Sequence, residues 1–163
     1  MKTPVRRLST DTEAAALARS VQARGGQVVW TNGVFDLLHP GHIRYLEEAR
    51  RLGAALIVGV NSDRSVRAIK GPARPLTPEY ERAEVLLALA CVDAAVVFDE
   101  ATPHRIIALI QPDVLVKGAD WAAVEIVGRD VVEFRGGRVV RLDLAQGYST
   151  TDLIRRVGER GSR

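Results

Sequence analysis

The chain has 163 residues, 47% of them hydrophobic, which suits a single domain with a sizeable core and excludes wholesale disorder. A net charge of +3, aromatics at only 5% and no block of Lys or Arg argue against a nucleic-acid platform, which would show a basic stripe or stacking rings. No apolar run is long enough to cross a bilayer, and a single cysteine, Cys91, excludes an intrachain disulfide.

The N-terminus, MKTPVRRLSTDTE, lacks the apolar centre of a secretory signal, so the cytoplasm is the expected compartment. Residues 1–9 read as a polar arm. A helix follows, with Thr10 and Glu13 spaced as a capping box, Leu17 and Val21 on its buried face, and Gly25-Gly26 as its stop. A short apolar strand covers Gln27 to Thr31. It passes Asn32-Gly33 and enters a helix in which Ile43, Leu46 and Ala49 recur at helical spacing, ending near Gly53. A second strand spans Ala55 to Val60, then a short helix Ser62 to Ile69. The run from Lys70 to Pro78 is too dense in Gly and Pro for helix or central strand, and is a loop carrying Lys70 and Arg74.

A helix from Thr77-Pro78 carries Arg82 and is expected to bury Val85, Leu86 and Leu89. Cys91 follows inside an apolar run and reads as a buried, inert thiol. Strands are expected at Ala94 to Phe98, Asp113 to Val116 and Arg138 to Leu142, with helices from about Thr102 to Ile110, Gly128 to Phe134 and Thr150 to Val157, and a tail at 159–163. His104 has no evident partner. Strands alternating with helices give an α/β fold, a five-stranded parallel sheet covered on both faces, in one domain without repeats.

In open sheets of this kind ligands sit beyond the carboxyl ends of the strands, near the switch in strand order. Three polar clusters fall there: His39-Pro40-Gly41-His42 after the first strand, Lys117-Gly118-Ala119-Asp120-Trp121 after the fourth, and Gly147-Tyr148-Ser149-Thr150-Thr151 after the fifth. Pro40 suits a first helical turn, whose free N–H groups and dipole attract phosphate. Asn32, Gly33, Val34 and Phe35 are expected to bring further backbone N–H groups, and Ser149, Thr150 and Thr151 to cap a helix and bind phosphate together. No P-loop, no GxGxxG and no GxSxG occurs, which removes P-loop kinases, dinucleotide-binding domains and serine hydrolases.

His39-Pro40-Gly41-His42 matches the HxGH signature of the nucleotidyltransferase superfamily, and TNGVFDLLHPGH resembles its cytidylyltransferase-like branch. The HIGH signature of class I aminoacyl-tRNA synthetases is related, but those are much larger and carry a lysine loop that has no counterpart here. The resemblance implies a three-layer α/β/α Rossmann-like fold and transfer of a nucleotidyl group to a phosphate. It makes His39, His42 and Lys117 the catalytic candidates. It adds Gly41, Lys70, Arg82 and Asp120 to the nucleotide- or phosphate-binding set, and leaves Asp36, Asn61, Asp63, Arg74 and Trp121 as candidates for the acceptor. For Asp36 a turn or cap role, and for Trp121 simple packing, are equal alternatives. Mg²⁺ is expected to arrive with the triphosphate, with no protein ligands. Tyr148 stands where the family often has Ile.

Within that branch LIVGVNSD, KGPARPLTP, ERAEVLLAL, LVKGADW and YSTTDLI resemble the heptose 1-phosphate adenylyltransferase domain, found as the C-terminal half of a bifunctional heptose kinase/adenylyltransferase or alone. The resemblance implies ATP and D-glycero-β-D-manno-heptose 1-phosphate as substrates, ADP-heptose for lipopolysaccharide core as product, and a stand-alone enzyme that forms a homo-oligomer. A cytidylyltransferase acting on glycerol 3-phosphate or a related alcohol phosphate is the alternative in chemistry, and a nucleotide-binding regulatory module the alternative in class. Partners in nucleic acid or membrane are not expected.

Overall fold

The computed structural model describes residues 8–119, 126–143 and 148–161; Asp120 and Trp121 lie outside them, as do the first seven residues of the expected arm. The elements are α1 (Asp11–Ala23), β1 (Val28–Gly33), α2 (Pro40–Arg51), β2 (Ala55–Asn61), α3 (Asp63–Lys70), α4 (Glu79–Ala88), β3 (Ala94–Phe98), α5 (His104–Ile110), β4 (Val114–Gly118), α6 (Arg129–Phe134), β5 (Arg138–Leu142) and α7 (Thr150–Gly161).

The five strands form one parallel sheet in the order β3-β2-β1-β4-β5. The chain begins at the centre, builds outward through β2 and β3, then returns to the other flank of β1 to lay down β4 and β5. Strand order therefore reverses beside β1, which pairs Val28 with Ala55 on one flank and Val29 with Val114 on the other. Alternation along each strand divides the core. Val28 and Trp30 face a cluster built with Ala14, Ala18, Ile106, Ile107 and Val132 from α1, α5 and α6. Val29, Leu56, Val58 and Val60 face Leu46, Ala49, Ala83 and Leu86 from α2 and α4. Gly59 exists for Trp30, because a Cβ there would lie 2.4 Å from the indole ring. Buried Thr31, on the α2 side, shares a 2.8 Å hydrogen bond with the Tyr45 hydroxyl and ties β1 to α2.

Two helices are rotated from the phase that apolar spacing suggests. In α4 the buried residues are Arg82, Ala83, Leu86 and Leu87; Val85 is 49% exposed and Leu89 half-buried. A buried arginine sets that phase, and a charged residue reads as surface in a sequence. In α2, Tyr45, Leu46 and Ala49 are buried while Ile43 is exposed, because Tyr45 takes the inward position to reach Thr31. Residues 8 and 9 are not a free arm: Leu8 packs on the core and the Ser9 N–H donates to Ala95 O at 2.9 Å. The last helix continues through most of the expected tail. Cys91 is only half-buried, and burial, aided by the charges of Glu47 and Asp93, raises its thiol pKa, consistent with an inert group. His104 does have a partner, Asp130, at 3.0 Å on the surface.

Candidate active site

β1 ends by handing the chain to α2 through a corner of unusual geometry. Phe35 adopts φ 48°, a left-handed conformation that is an outlier for a bulky side chain. The turn leaves Phe35 buried with its ring 5.5 Å from that of His42. It also leaves the Val34 carbonyl accepting from the Arg82 guanidinium.

His39 is the N-cap of α2 and His42 its third residue, so HPGH puts two imidazoles where a capping box would put a hydroxyl and a carboxylate. His39 Nδ1 accepts from the His42 N–H at 3.4 Å, a long contact. The two rings stack at 3.8 Å and 19°. No acidic residue stands in this first turn. Burial pushes the His39 pKa below its usual range; burial and then the neighbouring His39 bring His42 down to about 4. Both rings are thus neutral at pH 7. With Nδ1 accepting, the His39 proton sits on Nε2. The Nδ1 of His42 is the one buried side-chain N or O without a partner among the described residues, and an unpaired lone pair costs less there than an unpaired N–H. His42 is then also protonated on Nε2.

These groups line a cavity of about 670 Å³ beyond the carboxyl ends of the strands, a volume typical of small-molecule sites. Asn32 through Asp36, His39, Gly41 and His42 form one wall. Lys117 and Gly118 arrive from β4, Tyr148 through Thr151 from the start of α7, and Asn61 from the end of β2. Lys70 comes from the end of α3 and Arg74 from the loop after it. The three clusters separated in sequence do converge on one edge. Lys117 Nζ reaches Asn32 O at 3.4 Å, and Thr150 Oγ1 donates to Leu37 O at 3.3 Å, so β4 and α7 are each joined to the corner.

Asp36 faces the loop. Its carboxylate accepts from the Leu76 and Thr77 N–H groups at 2.9 Å and from Arg74 Nε at 2.7 Å. Burial raises its pKa, but those two N–H groups and Arg74 more than offset this, and the net shift is downward. Asp36 ties the loop between α3 and α4 to the corner through Leu76, Thr77 and Arg74, and it also lines the cavity. Arg82 departs from its expected place at the phosphates. It is fully buried, and its guanidinium donates to the carbonyls of Thr77, Val34 and Asn61 and to Asp63 Oδ1. It braces three segments, the β1–α2 corner, the β2–α3 junction and the loop before α4, and does not line the cavity. Asp63, occupied by Arg82, lies instead in a shallow neighbouring hollow with Arg64, Arg67 and Tyr80.

No sequence signal marks the cavity's apolar wall, which includes Ile69, Ala101, Pro103, Ile126 and Val127. These residues sit in loops or at helix ends without any motif. Parallel topology, which brings the β3-α5 and β4-α6 connections to one edge, is the signal that could have found them. Among the described residues no group of three or more His, Cys, Asp or Glu could hold a metal ion, and no helix is long and apolar enough to cross a membrane.

A family model described as cytidylyltransferase-like matches residues 30–156. The bifunctional protein HldE of Syntrophotalea carbinolica is 56% identical over 137 residues, covering 84% of this chain and 28% of that one. The bifunctional protein HldE of Geotalea uraniireducens is 52% identical over 143 residues, 88% of this chain and 29% of that one. The chain therefore spans less than a third of the length of these relatives. Among solved structures, a lipopolysaccharide core biosynthesis protein from Thermoplasma volcanium superposes with a TM-score of 0.64 at 31% identity, covering 75% of this chain and 100% of that one. Pantothenate synthetase from Thermus thermophilus, at 20% identity and a TM-score of 0.54, covering 85% of this chain and 61% of that one, shares the fold.

Proposed function

The chain belongs to the cytidylyltransferase-like family of nucleotidyltransferases, and from that premise we propose that it transfers AMP from ATP to D-glycero-β-D-manno-heptose 1-phosphate, releasing pyrophosphate and forming ADP-heptose for lipopolysaccharide core. The observation that carries this reading is the meeting, in one cavity at the strand-order switch, of two neutral imidazole donors, Lys117 and the hydroxyl-bearing start of α7. The similarity to HldE and to a lipopolysaccharide core biosynthesis protein supports the choice of sugar and base.

In the proposed reaction a phosphate oxygen of the sugar phosphate attacks the α-phosphorus of ATP. A new P–O bond forms, the bond between the α-phosphorus and the bridging oxygen breaks, and pyrophosphate leaves with the electron pair. A sugar phosphate has its second pKa at about 6 and is mostly dianionic at neutral pH, so it has no proton to lose and needs no general base. The work left to the protein is bringing anions together and holding the charge that builds on the phosphoryl oxygens. The Nε2–H groups of His39 and His42 donate to the α-phosphoryl and triphosphate oxygens. The first turn of α2, where Gly41 lets the chain approach closely, adds backbone N–H groups, as do Asn32 to Phe35. Lys117, whose Nζ reaches Asn32 O, supplies positive charge from β4, and Ser149, Thr150 and Thr151 hold the β- and γ-phosphates. Lys70 adds a cation for the phosphates, and Arg74 and Asn61 serve the acceptor.

Magnesium enters as part of the substrate, MgATP. The cavity offers nitrogen donors and cations, while Asp36 is engaged with its loop, so phosphate oxygens and water would hold the ion. The reading places the enzyme in the cytoplasm, where ATP is supplied, and takes it as a homo-oligomer.

Pyrophosphate release with each pairing of ATP or CTP against heptose 1-phosphate or glycerol 3-phosphate tests this directly. Turnover is expected with ATP and heptose 1-phosphate. A preference for CTP with glycerol 3-phosphate would move the protein to the cytidylyltransferase side of the family. Nucleotide binding without release under any pairing would make it a regulatory module.

A further inference from the structure

His39 has two near-parallel ring neighbours. One is His42; the other is Tyr148, whose ring lies 6.0 Å from that of His39 at an interplanar angle of 19°. Tyr148 is 40% exposed and lines the cavity immediately before the hydroxyl run that opens α7. Its backbone is brought in by Gly41. A Cβ on Gly41 would stand 3.0 Å from both the Tyr148 Cβ and His39 Nδ1, so a side chain there would push the two apart. The guanidinium carbon of Arg44, on the exposed side of α2, lies 5.5 Å over the Tyr148 ring, within range of a cation–π contact. Tyr148 is thus held by two residues of α2, one small enough to admit it and one that covers it.

A histidine's second side-chain torsion is broad and intrinsically poorly fixed. Among the described residues, the His39 ring is hydrogen-bonded to another residue through the 3.4 Å contact to the His42 N–H alone, too long to lock the ring. Packing of its faces must do the rest. Resting on the proposed transferase reaction, we propose that Tyr148 is a positioning residue. Its ring fixes the plane of His39 and holds the start of α7 against the start of α2, so that the imidazole donors and the hydroxyl cradle act on one triphosphate at a set separation. The Thr150 hydroxyl bond to Leu37 O is the second tie between the same two helix starts, and at 3.3 Å it is also long. Loosening the ring contact should therefore misplace donors by a fraction of an ångström, which costs rate more than it costs binding.

The test compares Tyr148→Phe and Tyr148→Leu with the unmodified protein in steady-state pyrophosphate release, with melting temperatures recorded for all three. Tyr148→Phe keeps the ring and should stay within about twofold in kcat. Tyr148→Leu should lose about 10- to 100-fold in kcat while KM for ATP changes less than about threefold. The ring-proton chemical shifts of His39 should move in Tyr148→Leu and stay in place in Tyr148→Phe. If Leu supports full turnover, if Phe fails as badly as Leu, or if the loss falls on KM with kcat intact, Tyr148 does not position His39. Absence of turnover in the unmodified protein would instead overturn the transferase reading itself, so the two failures are distinguishable.

Discussion

Two helix beginnings in this chain use the same backbone geometry to opposite ends. At the start of α1, Thr10 Oγ1 accepts from the Glu13 N–H at 3.2 Å and Glu13 Oε2 accepts from the Thr10 N–H at 2.8 Å, while Asp11 and Glu13 meet the positive end of the dipole. That end is closed on itself. At the start of α2 the same two positions, N-cap and third residue, hold His39 and His42; the His42 N–H donates to His39 O at 2.9 Å and only loosely, at 3.4 Å, to the His39 ring, and no acidic residue stands in the turn. No carboxylate closes this end, and in the proposed reaction its imidazoles and dipole meet the triphosphate. The choice of side chain at two positions decides whether a helix start stabilises the fold or awaits an anion.

Breaking the α2 end should cost catalysis. Replacing His42 with Ala is expected to lower pyrophosphate release about 10²–10³-fold, the usual loss for one donor aimed at developing charge. Near-normal turnover in that variant would remove His42 from the chemistry. The loop side of the same corner should respond in stability. Asp36→Ala leaves the N–H groups of Leu76 and Thr77 and the Arg74 guanidinium without their acceptor, and is expected to cost about 1–3 kcal/mol in urea unfolding, with faster amide exchange at Leu76 and Thr77.

The pH dependence of folding sharpens the contrast further. His42 has a folded-state pKa of about 4 against 6.5 for a free histidine, so between these values the unfolded chain binds the proton more readily. The stability it confers is intact above pH 6.5, is lost as pH falls towards 4, and is level below that. The loss should be on the order of 2 kcal/mol after discounting for partial exposure, and His42→Ala should abolish it. The shift at His39 has the same sign. Asp36 contributes in a separate window: with its pKa lowered, its contribution is present above 3.8 and lost as pH falls through the lower folded value. Smallest of all, Thr10→Ala at the closed helix start should cost about 1 kcal/mol of stability and leave turnover unchanged.

How far the sequence carried this account differs between the two ends for a physical reason. The α1 cap, every strand and the convergence of HPGH, Lys117 and the Ser149–Thr151 run on one edge were legible, because short-range spacing and the open-sheet rule suffice. The fate of the charged residues was not. Arg82 reads as a surface or phosphate-binding charge, yet three carbonyls and Asp63 enclose it, and that partnership spans residues from Val34 to Thr77 that no local pattern connects. The buried arginine also explains why Val85 faces solvent while Leu87 does not. Asp36 was left open between acceptor and turn, because only the fold brings Leu76 and Thr77 to its carboxylate. The apolar wall of Ile126 and Val127 has no motif to betray it.

The central claim is that α2 begins with two neutral imidazoles protonated on Nε2 and reserved for phosphate. Long-range ¹H–¹⁵N correlation spectra of the histidine rings at pH 7, recorded with and without MgATP, test it most directly. Neutral rings with Nε2–H in the free protein, and large shifts at both Nε2 positions on adding MgATP, are expected. Imidazolium rings in the free protein, or Nε2 signals that MgATP leaves unmoved, would contradict it.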